Sequence, residues 1–259
     1  MRTGGQILYR KPLNRVDFLS LSAASRSRIE TASLVLKDLR PIPAEAMMAA
    51  SDSFFLRLHH PLSDAFVGLN NPPSRQIRSE REREGLEWLE KEYERDRDLF
   101  EPDNFPHIMR KLNFKLSPGR WGYRNGEIST SGDSQHNLVR FPSAANIGNQ
   151  MQLLQATVTN VDKRPAVFVA AMLLAILTNC HPFRDGNGRT ARTLFNYALR
   201  SGGMRNEVYV PFYEIASRSR GGYLIALRQA ETSNEWEPFF YFVCELLNIH
   251  SAIQSCELR

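Results

Sequence analysis

The first part of the chain shows apolar residues at helical spacing. Four of them stand at i, i+3, i+7 and i+10 and so share one helical face: Ile29, Ala32, Leu36 and Leu39. Prolines follow at positions 41 and 43, and a helix ends before such residues. The pattern predicts one helix over residues 25–39 and a second over residues 44–59, followed by a loop at residues 68–73.

Residues 75–97 combine a high density of Glu and Arg with a narrow apolar stripe formed by Leu86, Leu89 and Tyr93. Opposite charges recur three or four positions apart, which supports a solvent-exposed helix. The segment lacks the three clean heptads that a coiled coil requires. The pattern therefore predicts an exposed helix that docks through its stripe and carries no chemistry.

Residues 117–141 are rich in Gly and Ser, and two short runs in this segment have strand-type composition, at 127–129 and 138–141. Such runs, separated by turn-forming residues, predict a small β-hairpin. Pro142 follows and ends it. The rest of the chain, from residue 147 to 245, has a mostly helical pattern.

Two helices stand out in this second half. The longest apolar run covers residues 166–177; it is too short to cross a bilayer and fits a buried core helix. This helix begins near Pro165, a suitable first-turn residue, and reaches Cys180. A second helix starts after Gly188 and reaches Arg200, where a Gly-Gly pair ends it. Together the patterns predict a mainly α fold with one small β-hairpin.

Composition and charge narrow the classes of function. The chain has 259 residues, with 33 Lys and Arg against 28 Asp and Glu, a net charge of +5. It has no basic stripe interleaved with aromatic residues, which disfavours nucleic-acid binding, whereas a local cationic cluster would suit a polyphosphate. Three widely spaced cysteines offer neither a disulfide framework nor a zinc site. Because no apolar signal segment opens the chain, we expect a cytoplasmic protein that does not bind membranes.

The loop between the two core helices holds the residues with the clearest chemistry, His-Pro-Phe-Arg-Asp-Gly-Asn-Gly-Arg-Thr-Ala-Arg at positions 181–192. The proline after His181 prevents the first helix from continuing. Gly186, Asn187 and Gly188 then lead into the next helix. Glycines let backbone N–H groups converge, and the new helix N-terminus adds partial positive charge. This arrangement predicts an anion site suited to phosphate.

Charged and titratable side chains surround the predicted phosphate site. Arg189 and Arg192 lie three apart in the first turn of the second helix, where cations oppose the helix dipole unless a bound polyphosphate offsets them. Asp185 stands directly before the glycines, in a position to hold Mg²⁺ that bridges phosphate oxygens. His181 can accept a proton from an attacking hydroxyl, since histidine titrates near neutrality. The set predicts phosphoryl or nucleotidyl transfer.

Each feature also has a purely structural explanation. A Gly-Asn-Gly segment is usually a turn, a histidine before proline is usually structural, and an Asp beside Gly is usually a turn or N-cap residue. Their occurrence together, in this order and at a helix-to-helix junction, favours a functional site.

The 181–192 segment resembles the Fic family signature, H-x-F-x-[DE]-G-N-G-R-x-x-R, at every specified position. The resemblance implies the Fic helical bundle, with an N-terminal helical region at residues 1–104 and a Fic core domain at 105–259. It extends to the hairpin between Arg124 and Phe141, which is similar to the family's flap. This flap, with Leu138, Val139 and Arg140 on its second strand, would clamp a target peptide by strand addition.

For catalysis, the resemblance implies that AMP passes from ATP to a Ser, Thr or Tyr hydroxyl of a target protein, or of the chain itself. His181 would deprotonate the attacking hydroxyl, and Asp185 would bind Mg²⁺ between the α- and β-phosphates. Five residues would hold the phosphates and the pyrophosphate leaving group: Gly186, Asn187, Gly188, Arg189 and Arg192. Tyr223 would line the base pocket. Gly188 favours AMP transfer, because the family branch that works as a kinase has Lys there.

A further resemblance concerns inhibition. Many Fic proteins carry a helix with the pattern [ST]-x-x-x-E-[GN], whose Glu pairs with the second motif arginine and displaces the γ-phosphate. Residues 25–31, Ser-Arg-Ser-Arg-Ile-Glu-Thr, resemble its N-terminal form. Arg26 and Thr31 depart from the pattern, so Glu30 also fits an ordinary surface position. The resemblance predicts a charge-assisted pair between Glu30 and Arg192.

The motif leaves other functions open. The same site could remove AMP or transfer another nucleotide such as UMP, and an inactive member would be a nucleotide-binding regulator. A cysteine hydrolase built on Cys180 and His181 is disfavoured, because neighbours in sequence rarely meet as nucleophile and base.

Overall fold

The computed structural model describes residues 7–61, 79–119, 121–129, 138–160 and 163–257. Three segments with sequence predictions lie outside these ranges: the loop at 68–73, the start of the charged segment at 75–78, and the hairpin tip at 130–137.

The described residues form a helical fold with one short pair of strands. The helices are α1 (Ala23–Val35), α2 (Ala44–Ala49), α3 (Asp52–Phe55), α4 (Ser79–Arg95), α5 (Phe105–Leu116), α6 (Ile147–Val158), α7 (Ala166–Cys180), α8 (Asn187–Ser201), α9 (Phe212–Ala216), α10 (Gly222–Ser233) and α11 (Glu237–Glu257). The strands are β1 (Ile7–Tyr9) and β2 (Leu138–Arg140). The mainly α class predicted from the sequence is confirmed.

Helix α7 forms the centre of the fold. Every residue of α7 except Thr178 is buried, because α1, α6, α8 and α11 all pack around it. The prediction of a buried core helix is therefore confirmed. Among the described residues, no helix is both long and apolar enough to cross a membrane.

The N-terminal region packs on the same core. Helix α1 contacts α7 and α11, and Ile29 and Leu36 on its predicted apolar face are fully buried. The single helix predicted over residues 44–59 is wrong. Ala50 has an extended backbone with ψ 136°, and the Ser51 side chain accepts a hydrogen bond from the Ser53 N–H. This N-cap starts a new helix, so the segment divides into α2 and α3.

Strand β2 has a neighbour on each side. On one side an antiparallel bridge joins Arg140 to Ser129, as expected for the predicted hairpin. On the other side β2 pairs in parallel with β1, so that Leu8 lies opposite Val139. The sequence pattern does not predict β1, because three residues with exposed side chains carry no periodic signal. The backbone just after β1 is held by Asn179, whose amide donates to the Lys11 carbonyl at 2.7 Å.

Gly222, at the start of α10, lies directly against the N-terminal region. A Cβ atom at Gly222 would lie 2.1 Å from the Leu58 carbonyl oxygen, so that the two backbones would have to separate. We expect Gly222→Ala to lower the free energy of unfolding by about 1–3 kcal/mol. Gly148, in α6, is the matched control, because its added Cβ would meet nothing within 4 Å.

Gly148→Ala should raise the free energy of unfolding by about 0.5–1 kcal/mol, since alanine favours the helix over glycine. Urea denaturation of the two variants and the parent measures both effects. Equal stability of the Gly222 and Gly148 variants would contradict this packing.

Candidate active site

His181 ends α7 in a left-handed conformation, with φ 50° and ψ 58°. Its backbone N–H donates to the Leu177 carbonyl at 3.0 Å, which closes the last helical turn. Its ring Nδ1 lies 2.7 Å from the Thr178 carbonyl oxygen. Because a carbonyl only accepts, Nδ1 carries the proton, and in the neutral ring Nε2 keeps its lone pair.

The pKa of His181 is lowered to about 4, chiefly by burial. The Thr178 contact opposes this shift, and the nearby Arg10 and Arg124 cations add to it. The imidazole also stacks on the Phe141 ring, with centroids 3.7 Å apart and planes at 14°. At neutral pH the ring is therefore uncharged and fixed in orientation. Such an imidazole can accept a proton at Nε2.

The loop after His181 is closed by Asn187. The Asn187 side-chain amide accepts from the Phe183 N–H and donates to the Phe183 carbonyl, both at 2.8 Å. Gly186 has φ 78°, and a Cβ atom there would lie 2.7 Å from the Ser117 Cβ and 2.8 Å from the Asn113 amide. Only glycine fits this position, since the backbone is left-handed and tightly enclosed. The first N–H groups of α8 have no partner within the helix, and Gly186, Asn187 and Gly188 line the adjoining cavity.

Asp185 and Arg189 form a second group beside the loop. The Asp185 Oδ2 accepts from the Ser117 hydroxyl at 2.5 Å and from Arg189 Nη2 at 2.7 Å. Chiefly the Ser117 hydrogen bond, with help from Arg189, lowers the pKa of Asp185. The Asp185 side chain is 76% exposed and ionised. This carboxylate is the kind of oxygen ligand that Mg²⁺ prefers.

A cavity of about 750 Å³ opens over these residues. Seven predicted site residues line it: His181, Asp185, Gly186, Asn187, Gly188, Arg189 and Arg192. The flap contributes Ile128, Ser129 and Phe141 to the wall. The predicted flap residues Leu138, Val139 and Arg140 form β2 and are not among the lining residues. Helix α4 adds Glu80 and Arg81 to the wall.

Tyr223 does not line this cavity. Its ring packs among other aromatic side chains, with centroids 5.2 Å from Phe212, 5.8 Å from Phe242 and 6.0 Å from Phe239. The Tyr223 ring therefore packs against the core through these aromatic contacts. The structure therefore brings together the 181–192 residues but leaves Tyr223 apart from them.

Arg192 is bound by a glutamate of α4. Its Nε lies 3.0 and 3.1 Å from the two carboxylate oxygens of Glu82, and its Nη2 also donates to Glu82. The Tyr209 hydroxyl donates to the same carboxylate at 2.8 Å. Glu82 is 1% exposed. Burial raises the pKa of Glu82, an effect that the Arg192 cation and the two hydrogen-bond donors oppose.

The predicted pair between Glu30 and Arg192 is wrong. Glu30 is exposed on α1, whereas Glu82 occupies the guanidinium. The charged helix, for which the sequence predicted no chemistry, contributes Glu82 to this ion pair and Glu80 and Arg81 to the cavity wall. A sequence signal was present, because Glu82 stands four and seven positions before Leu86 and Leu89. It therefore lies on the apolar face of α4, where an unpaired charge would be costly.

Comparisons with known proteins agree with this geometry. The model of the Fic/DOC family matches residues 84–199. Curated protein sequences give no significant match. A Fic family protein from Desulfovibrio desulfuricans G20 superposes with a TM-score of 0.57 at 16% identity, covering 96% of this chain and 78% of that one.

Two further solved structures are similar. A Fic-domain-containing signaling protein from Bacteroides thetaiotaomicron VPI-5482 gives a TM-score of 0.52 at 21% identity, covering 90% of this chain and 97% of that one. Residues 134–508 of Fic-1 from C. elegans superpose with a TM-score of 0.51 at 18% sequence identity, covering 91% of this chain and 74% of that one. At these sequence identities the structural likeness shows the fold alone. The family match at residues 84–199 also includes the loop at 181–192. Residues 84–199 therefore match the Fic/DOC family, and the described residues have the fold of solved Fic proteins.

Proposed function

We propose that the chain is a protein adenylyltransferase that transfers AMP from ATP to a hydroxyl side chain of a protein. The observation that carries the proposal is the neutral, oriented imidazole of His181 on the wall of the same cavity as the phosphate-binding loop. Nucleotidyl transfer needs a proton acceptor beside a site that stabilises phosphate charge. Both lie within one twelve-residue segment of this chain.

The proposed reaction is a single displacement at phosphorus. The target oxygen forms a bond to the α-phosphorus of ATP while the bond from that phosphorus to the bridging oxygen of pyrophosphate breaks. The hydroxyl proton passes to Nε2 of His181, and pyrophosphate leaves with the electrons of the broken bond. Phe141 and Thr178 keep the ring oriented throughout.

The loop supplies the groups that bind the phosphates. The N–H groups at the start of α8, around Gly186 and Gly188, suit the phosphate oxygens. Arg189 and Arg192 line the same cavity and would hold the terminal phosphates as charge-assisted partners. In the structure the Asn187 side chain holds the loop closed, so it acts on the phosphates by shaping this loop.

Asp185 is the residue that would hold Mg²⁺. Among the described residues, no cluster of three or more metal-ligating side chains is present, which fits a magnesium ion bound by one carboxylate together with substrate phosphates. Bound Mg²⁺ would neutralise charge on the phosphate oxygens. To engage the ion, Asp185 would exchange its contact with Arg189, a change that its 76% exposed side chain permits.

We propose further that Glu82 inhibits the enzyme. Its carboxylate covers the Arg192 guanidinium with both oxygens, and this guanidinium is where a terminal phosphate would bind. The negative charge of Glu82 would also repel that phosphate at short range. The state in which Glu82 pairs with Arg192 is then the inhibited state, and productive ATP binding requires Glu82 to leave Arg192.

The flap bears on how a target would bind. A target peptide that adds a strand to β2 meets Ser129 on one edge and β1 on the other. It would therefore replace residues 7–9, whose side chains are exposed and whose hold on β2 is mainly main-chain pairing.

Labelled ATP tests the reaction class. The Glu82→Ala variant, incubated with ATP labelled at the α-phosphate, should become radioactive itself or transfer label to proteins of a lysate. ATP labelled at the γ-phosphate should give no protein label, because the pyrophosphate leaves. A nucleotide panel of ATP, GTP, CTP and UTP identifies the preferred base. Protein label from the γ-position would show phosphate transfer and overturn the proposal.

A further inference from the structure

Arg124 is a buried cation that lies between the flap and the end of α7. It is 4% exposed, and all of its side-chain hydrogen bonds to described residues go to main-chain carbonyls. A buried guanidinium needs several acceptors to offset the loss of water. The identity of these acceptors shows what Arg124 holds together.

Two of the acceptors belong to the end of α7. Arg124 Nε donates to the His181 carbonyl at 2.7 Å, and Nη2 donates to the Cys180 carbonyl at 3.2 Å. These carbonyls are among the last of the helix, which have no partner within it. A cation at this position is also favoured by the helix dipole. Arg124 therefore caps the helix at the residue that carries the imidazole.

The other two acceptors belong to the flap. Nη1 donates to the Gly126 carbonyl at 2.8 Å, and Nη2 donates to the Pro142 carbonyl. Gly126 lies at the start of the hairpin and Pro142 directly after its end. The backbone N–H of Arg124 completes the connection by donating to the Pro182 carbonyl at 2.8 Å. Through its side chain and backbone, Arg124 thus joins both ends of the flap to the end of α7 and to the loop that follows it.

The backbone of His181 is in a left-handed conformation that its surroundings must hold in place. A residue other than glycine in the left-handed region is disfavoured, and it persists only where its surroundings hold it. The ring then stacks on Phe141, the residue directly before the Pro142 carbonyl that Arg124 binds. The same guanidinium therefore fixes the backbone of His181 and the position of the ring that packs on it.

We propose that Arg124 is a positioning residue that sets the catalytic imidazole and the flap in one arrangement by binding the carbonyls of His181, Cys180, Gly126 and Pro142. The inference rests on the proposed AMP transfer for its effect on rate. Its effect on the imidazole is independent of that function. Lysine cannot replace arginine here, because an ammonium group on a flexible chain lacks the rigid fork of five donors with which the guanidinium reaches four carbonyls.

The experiment compares Arg124→Lys with Arg200→Lys, both in the Glu82→Ala background. Arg200 is a second buried arginine that donates to a main-chain carbonyl, that of Val208, but it lies outside the cavity. We expect Arg124→Lys to lower the labelling rate at saturating ATP by about 10- to 100-fold, as expected for a displaced reacting group. The dissociation constant for ATP should change by less than about twofold. Arg200→Lys should retain the parent's rate.

Chemical rescue and nuclear magnetic resonance separate positioning from loss of fold. Ethylguanidinium has the atoms that Arg124→Ala removes, so it should restore the labelling rate of that variant. The protected Nδ1 proton of His181, assigned by its absence from His181→Asn, should disappear in Arg124→Lys and return in Arg124→Ala with ethylguanidinium. An unchanged His181 signal in Arg124→Lys overturns the positioning role. If the Glu82→Ala parent never labels, the proposed function fails while this signal still tests Arg124.

Discussion

Replacing Glu82 by alanine should raise the rate of labelling from α-labelled ATP by about 10- to 100-fold. Glu82 holds Arg192 through both carboxylate oxygens, and charge-assisted hydrogen bonds of this kind contribute about 1.5–3 kcal/mol. ATP must displace that interaction before its terminal phosphates reach the guanidinium. Each 1.4 kcal/mol corresponds to about a factor of ten in an equilibrium constant.

The chain offers a matched control on the same two helices. Glu90 of α4 pairs with Arg200 of α8, with Arg200 Nη1 and Glu90 Oε2 2.6 Å apart. These residues follow Glu82 and Arg192 on the same two helices. Glu90→Ala removes a carboxylate from the same helix without touching the cavity, so its labelling rate should equal that of the wild type. Glu30→Ala should also match the wild type, because Glu30 is exposed on α1. Activation by Glu30→Ala would support Glu30 as the inhibitory residue. A lack of activation by Glu82→Ala would show that the pair of Glu82 and Arg192 does not inhibit.

Replacing His181 by asparagine in the Glu82→Ala background should lower the labelling rate by about 10²- to 10⁴-fold. A positioned general base contributes an effect of this size. Asparagine is the suitable substitute because it tolerates the left-handed backbone of this position, with φ 50°, but cannot act as a base near neutral pH. The loss of rate then reports the missing imidazole without a loop forced into a new conformation.

Nucleotide binding provides the check on that variant. The phosphate-binding residues of the loop are unchanged in His181→Asn, so the dissociation constant for ATP, measured by calorimetry, should stay within about twofold of the parent. Thermal unfolding should show a single transition at a similar temperature. Labelling at the parent rate with intact binding would mean that another group accepts the proton.

Much of the site could be predicted from the sequence because its residues are close together in the chain. The 181–192 loop forms by local rules: a proline stops α7, Gly186 allows the turn, and a new helix begins. The buried character of α7 follows from its unbroken apolar run. Such features depend on neighbours within a few residues, which the sequence shows directly.

The remaining parts depend on contacts between distant segments. Glu82 reaches Arg192 across 110 positions, and Arg124 binds His181 across 57. The segment around Glu30 resembles a short inhibitory pattern, with departures at Arg26 and Thr31, yet its helix packs on α7 and α11 and leaves the Glu30 side chain exposed. A local pattern cannot show which of two glutamates the tertiary fold carries to an arginine. Strand β1 was missed for the same reason, since only its partner β2 defines it.

We propose that the loop carrying His181 directs the α-phosphate of ATP to a protein hydroxyl. Intact-mass spectrometry of the Glu82→Ala variant, incubated with ATP and Mg²⁺ and with a lysate as the source of targets, tests it most directly. We expect the Glu82→Ala variant or a target protein to gain the mass of one AMP group. The double variant with Glu82→Ala and His181→Asn should produce no such gain. A gain equal to one phosphate group, or an AMP gain that persists without His181, would contradict it.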